Sequence, residues 1–188
     1  KDIKMQLSLK VSTAIRKAVP MGIAALSTLA ISPLVLSGGA ASARPIVFND
    51  SYIGGGVAAG VTNGGQQNDA ANFGGNIQGR VAIPNVPVSV RGAVLFSGDN
   101  STIMPLVTYD IPVANNTNVY VGGGYSFVQK DGRNTPLGNK DAAVVTAGAE
   151  TGIGDYVVVY GDAKVGIKAY QNSPASALSF QAGLGYRF

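Results

Sequence analysis

From residue 51 onward, apolar residues alternate with polar or small ones at a period of two, and this confines the fold to strands. Leu178, Phe180, Ala182, Leu184, Tyr186 and Phe188 share one parity; Ser179, Gln181, Gly183, Gly185 and Arg187 take the other. Phe73, Ile77, Val81 and Ile83 oppose Asn76, Gln78 and Arg80 in the same way. So do Val86, Val88, Val90, Val94 and Phe96 against Ser89 and Arg91, and Val157, Val159, Ala163, Val165 and Ile167 against Tyr156, Tyr160, Asp162 and Lys164. No window beyond Ala43 shows the i, i+3, i+4 recurrence of an amphipathic helix. Eight strands are predicted, at 51–62, 73–83, 86–97, 101–113, 118–128, 141–152, 155–167 and 177–188.

The connections are asymmetric. Pro84-Asn85, the turn at 115–117 and Gly154 are short, whereas 63–72, 129–140 and 168–176 are long and polar. Gly98 to Asn100 falls on the long-loop side but is short. Most predicted strands have about the ten residues that a tilted strand needs to cross a bilayer. Short turns at one end and longer loops at the other are the pattern of an up-and-down membrane barrel. The predicted class is therefore all-β, an eight-stranded antiparallel up-and-down transmembrane β-barrel over 44–188, preceded by a cleavable signal peptide over 1–43.

Which face carries the charge decides between a membrane and a soluble barrel. Only 13% of residues are charged, against about a quarter in an average soluble domain. The polar faces pair small residues with a few near-balanced ions, as the narrow interior of an eight-stranded barrel allows. Gln78, Arg80, Arg91, Asp110, Glu150, Asp162, Lys164, Gln181 and Arg187 form the candidate interior network. Aromatic residues gather at the strand ends, as interfacial girdles require. Tyr52, Tyr109, Tyr120, Tyr156, Tyr186 and Phe188 fall toward the short turns and Phe73, Phe96, Phe127 and Phe180 toward the long loops, with Tyr125 and Tyr160 inside segments. In hydrocarbon every peptide group must be bonded, which for strands demands closure without edges.

Residues 1–43 run from five cations through an apolar stretch to small residues ending Ala41-Ser42-Ala43. This is the order of a secretory signal peptide, with Ala41 and Ala43 marking the cleavage site. The apolar run is also long enough for an uncleaved membrane helix, although Pro20 and Pro33 interrupt it. Met5 is an alternative start to Lys1. Beyond residue 43 nine basic residues balance nine acidic ones, so the basic excess belongs to the leader and nucleic acid is not an expected partner. The absence of cysteine excludes disulfides.

The leader ending in Ala-Ser-Ala, the alternating strands and a last strand ending GLGYRF together resemble the small eight-stranded outer-membrane barrels. That group includes the OmpA membrane domain, OmpX and the opacity proteins. The resemblance implies an outer-membrane location, contact with outer-membrane lipid, and handling by the barrel assembly machinery. In that group the alternate apolar positions of the last strand are the assembly signal, here Phe180, Leu184, Tyr186 and Phe188. The resemblance does not choose among pore, anchor and adhesin. Related barrel enzymes rely on histidine, and this chain has none, so no catalytic residue is assigned.

GGGVAAG at 54–60 approximates a dinucleotide-binding turn, but loop sequence follows where a helix would be needed, and close strand packing accounts for the glycines. Glu150, Asp155 and Asp162 fit internal ion pairing better than a metal site, and Asp69, Asp99 and Asp131 read as solvated. No cofactor or metal is expected. Three functions follow as expectations. The first is a structural or porin-like barrel with at most a narrow water path past Arg91, Asp162 and Lys164. The second is a surface adhesion or interaction protein that binds an extracellular ligand through its loops, the stretch at 129–140 foremost unless that loop is mobile and functionless. The third is a secreted soluble barrel holding an apolar ligand.

Overall fold

The computed structural model describes residues 50–65, 72–98 and 100–188. The predicted signal peptide over 1–43, with Ala41 and Ala43, and the acids Asp69 and Asp99 lie outside the described residues. Eight strands follow in chain order: β1 (Tyr52–Gly60), β2 (Asn72–Ala82), β3 (Val88–Ser97), β4 (Asn100–Ala114), β5 (Thr117–Val128), β6 (Ala142–Ile153), β7 (Val157–Ile167) and β8 (Ala177–Arg187). Each pairs antiparallel with its neighbours in sequence, and β1 closes on β8 from Tyr52 opposite Arg187 to Gly60 opposite Ser179. Closure removes the free edges that no bilayer could satisfy.

Turn chemistry sets the short end. Gly154 between β6 and β7 and Asn116 between β4 and β5 take φ of 61° and 59°, the left-handed conformation a tight hairpin needs. The β2–β3 connection is longer than Pro84-Asn85 alone. It runs from Ile83 to Pro87, because Pro87 has no N–H to give the ladder.

The closing seam depends on glycine. Gly54 faces Gly185 and Gly56 faces Gly183 across β1 and β8. A Cβ on Gly56 would stand 2.0 Å from the Ala182 carbonyl oxygen, so no larger residue fits this backbone approach. The GGGVAAG stretch thus lies on β1 as a packing element.

Inward parity divides the lumen into two parts. Toward the short turns it holds Tyr52, Gln78, Arg80, Ser89, Arg91, Asp110, Tyr120, Glu150 and Tyr160, all buried. Toward the long loops it holds Leu95, Met104, Leu106, Val144 and small alanines, joined by Leu137, Ala169 and Tyr170 from the loops. The outward parity presents Phe73, Ile77, Ile103, Val107, Phe127, Leu184 and Tyr186, each roughly half exposed or more.

The tyrosines correct the expected girdle. Tyr52 and Tyr120, placed by sequence at the short-turn interface, point inward and are 1% exposed. Their parity matches that of Gly54 and Asn118, and parity overrides nearness to a strand end. Tyr156, expected both in the short-turn girdle and on the polar face of its segment, takes the girdle position: it sits in the turn at 60% exposure and stacks on Tyr186 with centroids 5.7 Å apart. Tyr109, Phe188, Phe73, Phe96, Phe127, Phe180 and Tyr125 do face outward.

Candidate functional site

The densest polar chemistry is in the lower lumen, where β2, β3, β4 and β6 each place a charge on the inner face. Arg91 donates from Nη1 to Glu150 Oε2 at 2.9 Å and from Nη2 to Glu150 Oε1 at 3.1 Å. Its Nη2 also reaches Asp110 Oδ1 at 3.1 Å, and Nε donates to Thr108 Oγ1 at 2.9 Å. Arg80 donates to Asp110 Oδ2 at 2.8 Å and lies 3.3 Å from Glu150 Oε1. Ser89 donates to the same Asp110 oxygen. Each carboxylate is therefore shared by two guanidinium groups. Tyr52 donates its hydroxyl to Glu150 Oε2 at 3.0 Å, and the Arg91 guanidinium lies 3.7 Å over the Tyr120 ring.

A second cluster stacks above the first. Lys164 Nζ donates to Asp162 Oδ1 and Gln181 Oε1, both at 2.5 Å. Tyr120 donates to Asp162 Oδ2 at 2.8 Å, and Tyr160 to Asn76 Oδ1 at 2.5 Å. Gln78 joins the clusters, giving Nε2–H to Tyr52 Oη at 3.1 Å and accepting from Lys164 at 3.3 Å. Three cations meet three carboxylates, all nearly sealed from solvent. An unpaired ion so buried would cost several kcal/mol, which only such sharing offsets.

Glycine makes room for this network. A Cβ on Gly183 would stand 2.4 Å from Tyr160 Oη, and one on Gly148 would stand 2.7 Å from Tyr120 Cζ. Small residues on β6 and β8 therefore admit the tyrosines of β5 and β7 into a narrow barrel.

The long loops close the other end. Thr135 and Gly138 exchange backbone bonds of 2.8 and 3.2 Å in a turn that drops Leu137 into the apolar cluster, where it is 1% exposed. Asn139 N–H donates to Ala169 O at 2.9 Å, and Gln171 N–H donates to Asn139 Oδ1 at 2.8 Å, locking the β5–β6 loop to the β7–β8 loop. Asn100 Nδ2 holds Arg133 O at 2.7 Å. Tyr170 donates to Thr62 O, tying in the β1–β2 loop. Burial pushes the Tyr170 phenol above its ordinary range, against a smaller lowering from its bond to Thr62. The stretch at 129–140 is pinned across the mouth, with residues 135–139 buried.

No family model and no curated protein matches the sequence. Among solved structures, Neisserial surface protein A (NspA) is similar at 14% identity over 73% of this chain and 97% of that chain, with a TM-score of 0.53. The N-terminal β-barrel domain of Pseudomonas aeruginosa OprF is similar at 12% identity over 74% and 98%, with a TM-score of 0.50. Ail, the attachment invasion locus protein of Yersinia pestis, gives 17% identity over 74% and 99%, with a TM-score of 0.49. The chain has the fold of the small outer-membrane barrels.

Within that barrel, Gln78, Arg80, Arg91, Asp110, Glu150, Asp162, Lys164 and Gln181 meet in one connected interior network. Arg187 does not share their depth. It sits at the short-turn rim, its side chain 14% exposed, donating to Asp50 Oδ2 at 2.9 Å and to Asp155 O and Gly154 O. Arg187 is the last residue of β8, where inward parity opens on the rim rather than the sealed lumen. Phe180, Leu184, Tyr186 and Phe188 point outward at 46%, 62%, 57% and 75% exposure. Sequence reasoning missed Tyr52 and Tyr120 as lumen residues and Leu137 as a plug, and placed Tyr160 on the polar face of its segment without joining it to the network. The signals were present: the tyrosines share parity with lumen glycines, and Leu137 is the one large aliphatic residue in QKDGRNTPLGNK.

Proposed function

We propose that this chain is an outer-membrane barrel with a structural, non-catalytic role and a lumen closed to solute. The carrying observation is that two different fillings occupy the lumen in series. The Arg80, Arg91, Asp110 and Glu150 cluster fills the short-turn half, and Leu95, Met104, Leu106 and Leu137 fill the mouth. A solute would have to break shared buried ion pairs and also displace a packed apolar plug, whereas a diffusion pore keeps a polar, water-filled interior. Its proposed surroundings are outer-membrane lipid, with the barrel assembly machinery as a partner during insertion.

The outward face supports a bilayer as solvent. Ile53, Phe73, Ile103, Phe127 and Leu184 would leave water facing a continuous apolar belt, far beyond the few hundred Å² (about 300–600) that soluble monomers expose. The same orientation disfavours a secreted carrier of an apolar ligand, whose apolar face would line the lumen. Efflux from phospholipid vesicles tests closure. Vesicles carrying the folded barrel should retain a small trapped dye as well as empty vesicles do, and dose-dependent release would contradict the reading.

A further inference from the structure

Between the interlocked loops at the mouth lies a cavity of about 430 Å³, walled by Gly64, Gly132, Asn139, Gln171, Asn172 and Ser173. Its volume falls within the range of small-ligand sites, about 300–1,000 Å³. Among the described residues that line it, none is charged and none is aromatic. Its walls are amide and hydroxyl side chains, which donate and accept hydrogen bonds, and glycine backbone.

The cavity is pre-shaped. Gly132 N–H donates to Asn139 O at 2.9 Å, and Gln171 N–H donates to Asn139 Oδ1 at 2.8 Å, so two loops hold one wall. Tyr170 and Ser173 pair as an isolated bridge that folds Asn172 over at φ 59°. Gly64, at φ 65°, rests on the Tyr170 ring, where a Cβ would lie 2.4 Å from Cγ. Walls fixed in advance lower the ordering cost of binding.

We propose that this cavity binds a residue of a neutral saccharide. Sugar hydroxyls both donate and accept, as the Asn172 amide and the Ser173 hydroxyl do, whereas a cation would call for carboxylates, an anion for lysine or arginine, and a hydrocarbon for apolar walls. The site is independent of whether the lumen conducts.

The test uses the full barrel in phospholipid nanodiscs, free of sugar-headed detergent, with saturation-transfer NMR as the readout. The probes are maltotriose, chitotriose and neutral polysaccharide released from the expressing cells. Transfer to ring protons of at least one probe is expected. Asn172→Gly removes the amide while keeping the left-handed backbone, and should weaken that binding about fivefold, the loss of one hydrogen bond. Ser173→Tyr, which puts a bulky ring into the cavity in place of the hydroxyl, should abolish it. Heat-dependent electrophoretic mobility verifies that both variants are folded. Transfer from the cells' own polysaccharide alone assigns the ligand to the same surface; transfer from the added oligosaccharides assigns it to another source. No transfer from any neutral probe, transfer unchanged in both variants, or binding of a sulfated oligosaccharide alone would overturn the proposal.

Discussion

Arg91 grips Glu150 with both terminal nitrogens, at 2.9 and 3.1 Å, across 59 residues of sequence and with both side chains sealed from solvent. Arg91 sits on β3 and Glu150 on β6, so the pair spans the lumen between strands that are not neighbours. It braces the barrel from within.

Arg91→Ala should therefore destabilise the barrel by about 3–5 kcal/mol, the usual cost of stranding one partner of a buried pair. Arg80 remains beside both Asp110 and Glu150 and places the loss toward the lower figure. Urea titration of the protein refolded into vesicles measures it. An unchanged midpoint would show that the network contributes nothing to stability.

Gly183→Ala should cost about 1–3 kcal/mol by overpacking. The new methyl would stand 2.4 Å from Tyr160 Oη and 2.6 Å from Gly55 O, and the second of these is backbone. Tyr160→Phe should accordingly fail to rescue it fully. The fraction migrating as folded barrel before boiling reports the effect; wild-type folding of Gly183→Ala would rule out the tight seam.

Asn139→Ala should release the mouth while leaving the strands folded. It deletes the acceptor for Gln171 N–H and the donor to Asn134 Oδ1, bonds worth about 1 kcal/mol each. Trypsin cleavage after Lys130, Arg133 or Lys140 should accelerate about 5–30-fold, as 1–2 kcal/mol of local opening implies. Equal cleavage rates in variant and wild type would mean that the loops are not locked through Asn139.

Phe188→Ser should lower the amount of barrel in the outer membrane more than it lowers the stability of refolded protein. The ring is 75% exposed on the outer face, so its loss should move the unfolding midpoint by no more than about 0.5 kcal/mol. Undiminished outer-membrane levels would remove Phe188 from the assembly signal.

The strands were legible because period two survives in every segment, and each inward charge reads from parity alone: Arg80 with Gln78, Arg91 with Ser89. Partners were not legible. That Arg91 meets Glu150, while Arg187 meets Asp50 at the rim, depends on register accumulated around the barrel, which no single segment encodes. Tyr52 and Tyr120 lie near strand ends, where an interfacial residue is expected, but parity and not position along the strand sets which way a side chain points. Leu137 was not legible because a loop has no period to expose a lone apolar residue, and only the tertiary fold gives it a core to enter.

Planar-bilayer recording addresses the closed lumen most directly. The wild type should give no steady conductance steps, and neither should Leu137→Ala, because the Arg80, Arg91, Asp110 and Glu150 cluster still fills the lower lumen. Long-lived ohmic openings in the wild-type protein would contradict a lumen filled in both halves.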